Sequence, residues 1–106
     1  TMSPMLTNIQ QKLKQHLFKG YPNLCVEFDT KEFLDTVSKN VVYWRKQRGF
    51  SQLQLAVGMG YQSSSYIGRM ELRKNGQHFN IEQLFKITKI LDIHMDDLCT
   101  MRYDLP

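Results

Sequence analysis

The sequence predicts an all-α protein, and three features carry that expectation. Apolar residues recur at spacings of three and four along most of the chain. Asp29, Ser51 and Asn80 each stand where a helix cap belongs, immediately ahead of such a run. Breakers gather at a few points: Gly20-Tyr21-Pro22-Asn23, Gly49, Gly58-Met59-Gly60 and Asn75-Gly76. Five or six helices follow, with no internal repeat and no low-complexity tract.

The first helix rests on Leu6, Ile9, Leu13 and Leu17, about four turns of one apolar face. Leu24 to Phe28 alternates weakly and predicts a short strand or extended linker. Asp29 with Glu32 forms a capping-box pattern, opening a helix whose apolar stripe is Phe33, Val37, Val41 and Trp44. Ser51 caps a short helix with Leu53, Leu55 and Ala56, and a polar run from Gln62 to Ser65 leads into a third through Tyr66, Ile67, Arg69 and Met70. Leu72 to Phe79 reads as a basic loop. Asn80, with Gln83 at the box position, opens a helix whose inner face is Ile81, Leu84, Ile87, Thr88 and Leu91. A last short helix carries Met95, Leu98 and Met101.

At 106 residues the chain supports one core and no deep cleft between domains. No apolar run reaches the roughly 18 residues of a membrane span, and no basic-then-apolar leader opens the chain, so no secretory signal is expected. Cys25 and Cys99, like His16, His78 and His94, are scattered. Reduced thiols in a cytoplasm are expected, with no metal and no cofactor. The charge is uneven: residues 38–77 hold seven basic side chains against Glu71 alone, whereas residues 80–106 hold three against five acids. Such segregation points to a face for a polyanion.

An ordered set of residues sharpens this reading. It runs Val41-x-x-Trp44-Arg45, then Phe50-Ser51-Gln52-x-x-Leu55-Ala56-x-x-x-Gly60-Tyr61, then Ile67-x-x-x-Glu71. Ile81-x-x-Leu84-x-x-Ile87-x-x-x-Leu91 and Ile93-x-x-Asp96-Asp97-Leu98 complete it. The stretch resembles the phage Cro/repressor-like (XRE) helix-turn-helix family. The resemblance implies a five-helix, lambda-repressor-like DNA-binding domain over residues 29–106. Residues 1–28 add an extra helix and a short extended segment, an arm for dimerisation or a partner.

Physical reasons accompany the match. Two helices that cross steeply need a small residue at the crossing, which suits Ala56, and Gly60 tolerates the positive φ of the turn between them. The resemblance pairs Arg45 with Glu71 as a structural clamp. It places Ser64, Ser65, Tyr66 and Arg69 at base edges in the major groove, where the arginine fork matches guanine O6 and N7. It assigns phosphate contacts to Gln52, Ser63, Arg73, Lys74 and Asn75. Two departures bear on the transfer: Gly60 to Ile67 is one residue longer than in phage repressors, and Glu71 to Leu84 about two longer, with Leu72 in place of a small residue. The first leaves open which of Ser63 to Ser65 meets a base. Gly68, inside the third helix, costs about 1 kcal/mol relative to alanine; close approach to DNA and tight packing on Leu84 both account for it.

The function implied is a sequence-specific transcriptional regulator, a repressor binding a near-palindromic operator as a homodimer in the cytoplasm of a bacterium or phage host, on the nucleoid. The alternative is an antitoxin, whose N-terminal arm holds a toxin while DNA binding serves autoregulation. No membrane partner and no enzymatic constellation is expected.

Overall fold

The computed structural model describes residues 4–17 and 26–101. Among them the chain forms six α-helices and one 3-10 turn, with no strand. The helices are α1 (Pro4–Leu17), α2 (Val26–Gln47), α3 (Gln52–Gly58), α4 (Ser65–Glu71), α5 (Ile81–Leu91) and α6 (Met95–Cys99), with the 3-10 turn at Lys74–Gly76. The chain divides into two compact units, residues 1–30 and 31–106. In the first, α1 leaves Met5, Ile9 and Leu13 exposed.

Local chemistry fixes the helix boundaries of the second unit. The Ser51 side chain accepts from the Gln54 backbone N–H at 3.0 Å, and the Gln54 side chain accepts from the Ser51 N–H at 2.8 Å. Asn80 and Gln83 exchange the same two bonds at 2.8 Å each. Each box satisfies two donors that a helix start leaves open. Asp92, in the left-handed region at φ 53, stops α5, and the Arg48 guanidinium donates to the last carbonyls, Leu91 O at 2.7 Å and Asp92 O at 3.2 Å.

The core joins all five helices of this unit. Val41 from α2, Leu55 and Ala56 from α3, Ile67 from α4, Ile87 and Leu91 from α5 and Leu98 from α6 are fully buried, with Phe79 closing the side under the loop. Asn40, also buried, donates from Nδ2 to Leu98 O and Thr100 O at 2.8 Å each, so α2 holds the end of α6 directly.

Five sequence expectations are corrected. Val26 to Phe28 are helical rather than extended, and Asp29 lies inside α2 rather than capping it; once a helix is nucleated, extending it through residues with no Gly or Pro is cheap. Leu24 and Cys25 lie outside the described residues. Phe33 is 48% exposed, although it continues the stripe of Val37 and Val41, because it stands a turn beyond the packed part of α2. Ile81 is 80% exposed and Phe85 56%: the buried line of α5 runs through Ile87, Thr88 and Leu91, leaving the first turn to solvent. Met101 falls past the end of α6. There its sulfur accepts a hydrogen bond from the Thr36 hydroxyl at 2.8 Å.

The turn from α3 to α4 depends on Gly60, whose φ is +94. Tyr61 N–H donates to Ala56 O at 2.9 Å and Gly60 N–H to Val57 O at 3.0 Å, so the turn is closed by backbone bonds. Gly60→Ala meets no neighbour, so its cost is conformational alone. It should destabilise the domain by roughly 1–2 kcal/mol in urea unfolding, with the slope unchanged.

Candidate nucleic-acid interface

The surface of interest is built on α3, α4 and the loop that follows. Along α4, Ile67 and Met70 point into the core. Ser65, Gly68 and Arg69, related by three and four residues, share the opposite face. Ser65 and Arg69 are exposed, and Gly68 is half-buried. Ser64 occupies the cap position of α4 but makes no side-chain cap bond, so its hydroxyl is not spent on the helix. Ser63 is exposed in the preceding turn.

Tyr66 is half-buried in an aromatic row, 5.1 Å from the Tyr61 ring and 6.5 Å from that of Phe79, measured between centroids. Gln83 Nε2 donates to the Tyr61 hydroxyl at 2.9 Å, which ties this row to α5. Arg69 lies over Tyr66, with 5.8 Å from Cζ to the ring centre. Tyr66 thus supports the arginine as well as bordering the surface.

A buried network fixes α3 against α4. Arg45 Nε donates to Glu71 Oε2 at 2.7 Å and Nη2 to Oε1 at 3.0 Å, a bidentate pair whose side chains are 9% and 5% exposed. Arg45 Nη1 donates to Phe50 O at 2.9 Å, and Gln52 Nε2 donates to Glu71 Oε1 at 2.9 Å. A carboxylate only accepts, so it dictates which end of the Gln52 amide faces inward. The arrangement holds Gln52, the first residue of α3, beside the outward face of α4.

Beyond Glu71 the backbone enters the left-handed region at Arg73 (φ 54) and Asn75 (φ 56), with Gly76 at φ +73. Arg73 Nε donates to Asp35 Oδ1 at 2.9 Å, and Nη1 donates to Gly76 O and Gln77 O at 2.8 and 3.1 Å. Its side chain is 12% exposed, so Arg73 organises the loop from within. Lys74 and Asn75 remain exposed. Between α4 and this loop lies an open groove of about 510 Å³, bordered by Tyr66, Arg69, Asn75, Gln77 and His78.

Sequence reasoning brought Arg69, the serines, Gln52 and the Arg45–Glu71 pair to one region, and the structure brings them together. It missed Asp35, which holds Arg73; Gln77 and His78, which border the groove, lie in the Arg73–His78 loop that the longer spacing after Glu71 had marked. No local signal marks Asp35, because its partner lies 38 positions away. Charge counting also overstated the free cations: Arg45 and Arg73 are engaged inside the protein and Arg48, though exposed, is bonded to the carbonyl end of α5, while Arg69, Lys74, Lys39 and Lys46 are exposed. Among the described residues no three His, Cys, Asp or Glu side chains converge on a metal position. Burial, and then the carboxylate of Asp96, pushes the Cys99 thiol up, away from the thiolate form that metals take.

Two short helices locked across a glycine turn, with the second presenting a polar and basic face, define a helix-turn-helix unit. The helix-turn-helix family model matches residues 42–98, more than half of the chain, and the protein belongs to that family, as an XRE-like DNA-binding regulator of transcription. Neither the curated proteins nor the solved structures gave a match. No described helix is long and apolar enough to cross a membrane.

Removing one side of the buried pair strands the other charge. Arg45→Ala is expected to cost about 3–5 kcal/mol in chemical denaturation, whereas Lys46→Ala, one position on and exposed, should shift stability by less than about 0.5 kcal/mol.

Proposed function

We infer that the protein is a repressor that binds a near-palindromic operator as a homodimer, with α4 lying in the major groove of each half-site. The observation that carries this reading is the outward face of α4. Ser65 and Arg69 are exposed on a helix whose opposite side is fully packed, and the Arg45–Glu71–Gln52 network keeps α3 at a set angle to it. Arg69 is assigned to a guanine edge, and Ser64 and Ser65 to adjacent bases. Gln52, Ser63, Lys74 and Asn75 are assigned to the flanking phosphates, and Arg73 to shaping the loop that carries the last two. On this reading the protein works in the cytoplasm of a bacterium or phage host, at the nucleoid.

A second reading, the antitoxin, is favoured by the exposed Met5, Ile9 and Leu13 on α1, an apolar stripe suited to another chain. Charging that stripe in the full-length protein (Ile9→Asp with Leu13→Asp) separates the two. A fall in solution mass from dimer to monomer assigns α1 to the homodimer, and an unchanged dimer leaves the stripe for a different partner.

Selection of bound fragments from random duplex DNA should return two half-sites about one helical turn apart. With Lys74 meeting a phosphate and Arg69 close to the same strand in each protomer of a dimer, log affinity should fall against log salt with a slope of roughly −2 to −4. Arg69→Ala should lose about 1–3 kcal/mol on the selected site and relax preference at one position. A flat salt response would remove the DNA reading, and equal loss on random DNA would move Arg69 to the backbone.

A further inference from the structure

Glycine is the poorest ordinary residue for a helix interior, and α4 is only seven residues long. Yet Gly68 stands at its centre. Nothing in the fold asks for it. Among the described residues the glycines with positive φ are Gly49, Gly60 and Gly76, whereas Gly68 has an ordinary helical backbone. Gly58 shows what a packing glycine looks like: a Cβ there would meet Ile90 Cδ1 at 3.1 Å. A Cβ at Gly68 would meet only Gln52, at 3.5 Å from Oε1 and 4.0 Å from Nε2, ordinary van der Waals contact. Leu84 is not among its close neighbours, so packing on Leu84 does not account for the residue.

The position is defined from the outside instead. Gly68 shares the outward face of α4 with Ser65 and Arg69, one turn above the first and adjacent to the second. On its other side lies the Gln52 amide, held by Glu71. We propose that Gly68 is itself a DNA-contact position. The missing side chain opens a seat between Gln52 and Arg69 that admits the sugar–phosphate backbone of one strand against α4. The inference rests on the DNA-binding reading above and adds a steric determinant to it. It also explains why a short helix keeps a destabilising residue: the cost is borne for a ligand.

The test is to compare Gly68→Ala with the native full-length protein in melting temperature and in affinity for the selected duplex at fixed salt. Alanine should raise the melting temperature by roughly 4–8 °C, because the fold has room for it, and weaken DNA binding at least tenfold. Gly68→Gln, with a longer side chain and good helix propensity, should weaken it further. The same substitution made in a Gln52→Ala background decides the route: a loss that persists there belongs to the DNA strand. A loss that vanishes there would mean that the Cβ merely displaced Gln52, and would overturn the proposal. Unchanged affinity, or a lower melting temperature for Gly68→Ala, overturns it as well. Failure of the folded native protein to bind any duplex would instead bring down the DNA reading beneath it, while a gain in melting temperature would still stand as a property of α4.

Discussion

Three helices meet at one carboxylate. Glu71, the last residue of α4, accepts two bonds from Arg45 of α2 and one from Gln52 of α3, and its side chain is almost wholly shielded from water. An ion pair in that setting contributes little net stability, since desolvation offsets most of the attraction, but its loss is costly because the survivor is left charged and buried. Its main effect is geometric. The planar guanidinium and the carboxylate admit essentially one mutual orientation. With Gly60 setting the turn, that orientation fixes how α3 and α4 cross and where Gln52 stands relative to Arg69.

Arginine does most of this internal work, which changes how the basic charge of the chain should be understood. Arg48 closes the carbonyl end of α5 and lies 5.2 Å over the Trp44 ring. Arg73 spans from Asp35 to the carbonyls of Gly76 and Gln77, and so holds a loop that visits the left-handed region three times. The forked donor suits such bridging, because its separate nitrogens reach partners on different sides, whereas a lysine offers all its donors from one nitrogen. The cluster that marked residues 38–77 as basic is therefore partly structural cement. The electrostatic attraction left for a polyanion comes from fewer, better-placed cations.

This division explains what was legible in the sequence. Caps are local, so Ser51 and the box of Asn80 with Gln83 could be seen from spacing alone, and the breaks at Gly49 and Gly60 followed from backbone sterics. The pairing of Arg45 with Glu71 was not visible in composition or period; it came from resemblance to a known arrangement. Features that depend on where a neighbouring helix stops were misread. Phe33 and Ile81 continue apolar lines correctly, but those lines outrun the surfaces that could cover them. The start of α2 was misplaced because Asp29 has the chemistry of a cap, and nothing in the sequence shows that the helix had already begun at Val26. The tie of Arg73 to Asp35 was not legible, because the two are remote in the chain.

Helices of seven residues have no independent stability in water, so α3 and α4 exist only because Leu55, Ala56 and Ile67 are buried in the common core. The surface they present is rigid for the same reason, and side chains on it are free of structural duty. Ser65 and Arg69 make no packing contribution to the core, and a change in either leaves the scaffold beneath it intact. Residues one step inward behave differently: Gln52 and Tyr66 each combine a bond or ring contact to the fold with a place at the surface. Substitution there changes geometry and contact together. Surface chemistry and stability are thus separable along the face of α4 and coupled along its edges.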